Sequence, residues 1–262
     1  MRKEKLAGYV GLGLFSLFPL LGAFQADPTD AGWQEAASRA RRSVLAVQMR
    51  PDSANSSRTV GCAVLLSGSP LRAVVAGTLP ERPLCTGQAE DRIDWRAAYS
   101  DPQGEFTILE GPGATRLAAS PAGASFLAGM VPLDPATVGD LGPVGESMQT
   151  VDAVLVSPAD LATPLWIGEL RYERSAAGRP VYAGERMRPL RDAGDTATVN
   201  TGSDVGTSSR FTIDPALRGA PFVTREGVVL GLYVGQREGR PRAVPMALVR
   251  EALAGLDRRA AR

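Results

Sequence analysis

The chain contains no histidine in its 262 residues. That excludes every mechanism needing an imidazole to take and return a proton, and every metal site built on imidazole nitrogen. Lysine occurs only at Lys3 and Lys5. The remaining positive charge is arginine, which is effectively never deprotonated. A Ser–Lys dyad, a Schiff base and a P-loop lysine are therefore excluded beyond residue 5. Cysteine is represented by Cys62 and Cys85 alone, with no Cys-x-x-Cys. There is no Asp-x-Asp-x-Asp, no Gly-x-Ser-x-Gly and no Asp-Thr-Gly or Asp-Ser-Gly, "GDTAT" (194–198) being the nearest. We therefore expect no metal and no cofactor. The net charge of +1 lacks the excess that phosphate backbones demand, so no nucleic-acid partner is expected.

Residues 1–26 stand apart from the rest. Arg2, Lys3 and Lys5 make a positive start, and Leu6 to Phe24 is uncharged and mostly apolar. This pattern reads as an export segment. Its length also approaches the ~20 residues that span a bilayer. A small-x-small cleavage site is missing, since Ala26 has Phe24 two before it and Ala23 has Leu21. A cleaved signal and a retained anchor through residues 6–24 both remain open. No cysteine follows the apolar stretch, which argues against a lipoprotein. Gly8, Gly11 and Gly13 fall inside it and form no phosphate loop.

The body is strand-rich. Hydrophobic residues make up 44% and charged residues 22%, with 29 glycines and 20 prolines punctuating short apolar runs. Asp30 to Arg42 has helical composition with Asp30 as its cap. Strands are predicted at 43–49, 59–67, 72–77, within "DWRAAYSD" and "GEFTILEG", and at 124–131, 148–157 and 165–173. The polar stretch 174–210 holds short strand candidates at best. Residues 220–235 predict a hairpin turning near Arg225–Gly227, and 244–256 an amphipathic closing helix. Strand after strand with one closing helix predicts an all-β fold of two packed six-stranded barrels.

Some residues invite a functional reading. Asp91 with Asp94, or Glu105 with Glu110, could pair as carboxylates, although solvated loop charges explain them as well. Asn55-Ser56-Ser57 is a glycosylation sequon in form only. Export would make Cys62 and Cys85 a disulfide candidate, one in an early strand and one in the loop after it.

The last third carries a resemblance. "IDPALRGAPFVTREGVVLGLYVG" (213–235) resembles the nucleophile region of HtrA-type trypsin-like serine proteases, Ile-Asn-Pro-Gly-Asn-Ser-Gly-Gly-Pro-Leu followed by a hairpin and Ile-Gly. Ile213, Pro215, Gly219, Pro221 and Gly231 fall in register. "RAVPMALVREALAGL" (242–256) is similar to the family's Phe-Ala-Ile-Pro-Ser segment and exit helix. "VGESMQTVDAVLVSP" (144–158), "WIGELRYE" (166–173) and "TVGCAVLL" (59–66) are similar to its middle and early strands. The likeness spans about residues 31–256.

The resemblance implies a degenerate triad. Arg218 stands at the serine position. Thr78, in "VVAGTLPE" (74–81), falls at the histidine. Ser125, in "SFLAGMV" (125–131), is placed at the aspartate of the family's Asp-Leu-Ala-Val-Leu. Ala216 replaces a glycine of the oxyanion turn, where a Cβ resists the needed backbone conformation. The implied function is that of an exported pseudoprotease that binds a peptide or protein in the cell envelope, with Arg218, Ala216 and Gly219 as candidate binding residues. Alternatives are an unconventional hydrolase and a structural subunit of an envelope assembly. Only a short basic tail, 257–262, follows the closing helix, so no PDZ domain is expected. Oligomeric state is not legible.

Overall fold

A computed structural model describes residues 28–49, 58–68, 70–78, 84–86, 93–112, 119, 121–139, 149–159, 161, 163–190 and 212–262. The predicted export segment and the sequon lie outside them. Among the described residues no helix is long and apolar enough to cross a membrane.

The first barrel contains β1 (Val44–Met49), β2 (Arg58–Leu66), β3 (Arg72–Ala76), β4 (Leu84–Thr86), β5 (Ile93–Ser100) and β6 (Phe106–Glu110). They close in the order β1-β2-β3-β6-β5-β4. The second contains β7 (Thr150–Leu155), β8 (Trp166–Arg174), β9 (Pro180–Pro189), β10 (Pro221–Val223), β11 (Val229–Arg237) and β12 (Arg240–Pro245), closed as β10-β11-β12-β9-β8-β7. The two-barrel, all-β expectation holds.

Strand alternation explains how the barrels pack. Successive side chains point to opposite faces. Leu45, Val47, Ala63, Leu65, Ala73, Val75 and Leu109 fill the first barrel with Leu84 and Trp95. The alternate residues Val44, Cys62, Val64, Leu66, Val74, Phe106 and Ile108 join the core of the second barrel instead. β2 is thus apolar on both faces, and "CAVLL" reads as a continuous run for that reason. Inside the first barrel the Trp95 indole N–H donates to Thr86 Oγ1 at 3.0 Å, satisfying the one polar atom of that ring.

Among the described residues three α-helices accompany the barrels: α1 (Pro28–Arg41), α2 (Pro121–Gly129) and α3 (Met246–Ala260). Met246, Val249 and Leu253 form the buried face of α3. Arg72 of β3 reaches α3 through Asp257, at 2.6 Å.

Several expectations are corrected. Residues 124–131 were expected to be a strand, but α2 occupies most of them, and Phe126 and Met130 pack on the first barrel's core. An apolar run of this length cannot be assigned by periodicity alone. The polar stretch after 174 contains β9, paired to both β8 and β12. Asp30 is not a cap: α1 begins at Pro28, and Asp30 lies buried in its first turn, 3.1 Å from Arg188. α3 continues past 256 through Arg258 and Arg259. Cys85 lies in β4 rather than a loop, and it is not bridged to Cys62. β1 runs between their strands, pairing Ala46 with Cys62 and Gln48 with Cys85. Two interstrand steps put the Cα atoms roughly 9–10 Å apart, beyond the ~7 Å limit for a bridge.

Candidate functional site at the barrel junction

Arg218 follows a single 3-10 turn, Pro215–Leu217, that plugs the second barrel's β10 entrance against β2. Asp214 caps the turn: its carboxylate accepts from the Ala216 N–H at 2.8 Å. The Arg218 N–H donates to the Pro215 carbonyl at 3.0 Å, and the Gly219 N–H to the Tyr233 carbonyl at 2.7 Å. The Arg218 carbonyl accepts from the Cys62 N–H of the first barrel at 2.6 Å. This crossing requires glycine on both sides. Gly219 has φ +94°, and a Cβ there would fall on the Cys62 carbonyl. A Cβ on Gly61 would lie 2.6 Å from the Arg218 carbonyl.

The exposed Arg218 side chain runs back over the first barrel. Its guanidinium covers Gly77, where a Cβ would sit 2.9 Å from Nη2. Thr78, exposed, is the next residue after Gly77, the second beyond β3. The structure therefore brings the expected histidine and serine positions side by side. Among the described residues no acid forms an ion pair with Arg218. Behind it Tyr233 is buried, and burial pushes its phenol up to about 12, Arg218 pulling it down and Asp214 raising it.

Ser125 is not part of this site. It is exposed on α2, and the segment after α2 is tied to the other end of the first barrel, where Val131 N–H donates to Arg42 and Leu133 N–H to Leu65. The acid beside Thr78 is Glu105. Its carbonyl accepts from the Gly77 N–H at 2.6 Å, and the next residue, Phe106, opens β6 opposite Ala76 of β3. Sequence reasoning noticed Glu105 only as a possible partner of Glu110. The available signal was the run Glu105-Phe106-Thr107-Ile108-Leu109, which fits acid-Leu-Ala-Val-Leu better than "SFLAGMV" does.

Glu105 is not alone. The turn at Asp101–Gly104 folds the Asp101 carboxylate onto the N–H groups of Gln103 and Glu105, at 3.1 and 3.2 Å. Arg179, from the β8–β9 hairpin of the second barrel, grips Asp101 bidentately at 2.9 and 2.7 Å. Its Nε lies 3.3 Å from Glu105 Oε2, an atom that is buried without a hydrogen-bond partner. Burial pushes the Asp101 carboxyl up, but the Arg179 fork and the two N–H groups together hold it below its usual value. For Glu105 burial wins over the attraction of Arg179, and its carboxyl is raised.

Comparison with solved structures agrees with the two-barrel fold. The active form of the Rv3671c protease from M. tuberculosis superposes with a TM-score of 0.53 at 16% identity, covering 94% of this chain and 93% of that one. The fold is that of the trypsin-like serine proteases. An inactive mutant form of Rv3671c gives 0.51 at 14% identity over 88% of this chain and 94% of its own. The serine endoprotease of Yersinia pestis gives 0.51 at 14% identity over 86% of this chain and 66% of its own. No protein-family model matches the chain, and no curated protein matches it. Within the trypsin-like fold the nucleophile turn must present a serine, with its own N–H and that of the residue two before it aimed at an acyl oxygen. Here the chain presents Arg218, and both N–H groups are bonded inside the turn. Among the described residues no group of three metal-ligating side chains occurs.

Proposed function

We propose that this chain is a non-catalytic member of the trypsin-like serine protease fold, a pseudoprotease that binds a peptide or protein partner at the barrel junction. The observation carrying this reading is Arg218 at the nucleophile turn, with its guanidinium laid over Gly77 beside Thr78. Neither of these side chains supplies the serine–imidazole chemistry of the fold, because a guanidinium keeps its proton and a threonine hydroxyl lacks an activating imidazole. The same guanidinium is a planar donor fork without an acidic partner among the described residues. It suits a carboxylate, such as a peptide C-terminus or an acidic side chain. A rigid barrel pair with exposed loops can bind without cleaving. The N-terminal pattern Arg2–Phe24 supports an exported protein of the cell envelope, either released or held by residues 6–24.

The test pairs two measurements on residues 27–262. An unfolded protein substrate should remain intact. Acid-ended peptides should bind with an affinity that Arg218→Ala weakens about tenfold, the scale of one charge-assisted bidentate contact. Cleavage that survives purification and responds to Arg218→Ala would overturn the non-catalytic reading. Unchanged affinity for carboxylate-ended peptides would remove Arg218 from the binding site.

A further inference from the structure

We propose that Asp101 and Arg179, with Glu105 packed beside them, form an electrostatic tie that holds the second barrel against the first, at the place beside Thr78 where a trypsin-like site would orient an imidazole. The tie does not depend on the pseudoprotease reading, since it concerns how the two barrels are held whatever the cleft binds.

Three observations carry it. First, the partners come from different barrels. Asp101 and Glu105 belong to the β5–β6 turn, and Arg179 to the tip of the β8–β9 hairpin. Second, both ends are built to stay in place. Asp101 is locked by two backbone N–H groups and its side chain is 2% exposed. The hairpin tip is closed by Ser175, whose Oγ accepts from the Arg179 N–H at 3.2 Å and whose carbonyl accepts from Gly178. The fork therefore joins preorganised groups and orders little new, unlike an ion pair between two free side chains. Third, the tie adjoins the cleft. Glu105 bonds Gly77 through its backbone, and Gly77 lies under the Arg218 guanidinium. Movement of Arg179 would be passed to the floor of the site in two steps.

The charged surroundings are few. Tyr99 of β5 lies near Arg179, and Glu251 and Arg259 of α3 share with them a cavity of about 280 Å3. Glu251 and Arg259 carry opposite charges, and the Asp101 carboxylate is the group that Arg179 grips bidentately.

Amide hydrogen exchange on residues 27–262, without ligand, tests the proposal. Arg179→Lys keeps the cation and folds but cannot make the fork. It should speed exchange at the Cys62 amide, which crosses the barrels, and at the Gly77 amide by about tenfold, the worth of a lost charge-assisted bond. Val74 and Val154, each paired within one barrel, should change little. Asp101→Asn should reproduce the pattern. Unchanged exchange at Cys62 and Gly77 would overturn the tie. An equal increase at all four amides would also overturn it, by showing that the cluster serves overall stability and not the placement of the barrels.

Discussion

The guanidinium of Arg218, from the second barrel, rests on the backbone of Gly77, from the first. A cation thus spans the junction between the turn that the resemblance matches to a nucleophile and the end of β3. Restoring the two side chains does not restore the turn beneath them. The double variant Thr78→His with Arg218→Ser should remain at the buffer rate against an unfolded protein, because the Ala216 and Arg218-position N–H groups are bonded to Asp214 and Pro215. Losing one such donor costs an active enzyme about 10²–10³ in rate, and this turn lacks both. Measurable cleavage by the double variant would show that the turn can reopen.

Gly219 is the tightest point of the junction. With φ +94° and a Cβ directed at the Cys62 carbonyl, Gly219→Ala must strain its own backbone and push the barrels apart. Summing the usual costs of left-handed strain and overpacking gives about 2–6 kcal/mol of lost stability. Urea unfolding should show it as a lower midpoint at unchanged slope. Gly178→Ala is the control, since φ is positive there but no atom lies within 4 Å.

Thr86→Val should cost about 1–3 kcal/mol, the price of leaving the buried Trp95 N–H without an acceptor. The shapes are nearly equal, so packing changes little. Chemical unfolding followed by tryptophan fluorescence measures it.

The Asp101–Glu105 pair makes stability depend on pH in two opposite senses. Glu105 is raised in the fold above its ordinary 4.5. Its contribution is therefore fully present below pH 4.5 and lost as pH rises through the folded value. Glu105→Gln should exceed the parent protein in stability near pH 7, with the advantage fading towards pH 4.5. Asp101 is lowered from 3.8. Its contribution is present above pH 3.8 and lost as pH falls through the lower folded value. Asp101→Asn should be less stable than the parent at neutral pH, with the gap closing only below pH 3.8. Unfolding midpoints from pH 3 to pH 8 check both signs.

Most strands could be read locally, and the exceptions share a cause. β9 starts at Pro180, just after Arg179, and carries Glu185, Arg186 and Arg188 along its length, a composition that predicts a loop. Its partners make it a strand: Tyr182 and Ala183 are buried between β8 and β12, while Glu185 pairs with Arg171 and Arg240. β4 is three residues long, too short for any pattern, and exists because it closes the barrel between β1 and β5. α2 carries small residues and one phenylalanine, which suit either state until Phe126 meets the first barrel's core. Misreading α2 as a strand is also what drew the acid position to Ser125 and away from Glu105.

By itself the sequence determined the chemistry that is missing. A chain without histidine, with lysine only at positions 3 and 5, cannot assemble a serine–histidine or serine–lysine pair beyond residue 5, whatever its fold. It also pointed to the two-barrel fold, through short apolar runs and through the family resemblance that Ile213 to Gly231 carry. Only the tertiary structure brought Thr78, just beyond β3, Glu105 of the β5–β6 turn and Arg218 of the Pro215 turn to one junction, far apart in sequence and joined by barrel closure. It alone placed Arg179 on Asp101, a pair 78 residues apart. Such a pair leaves no periodic trace, because neither partner's local conformation depends on the other until the barrels meet.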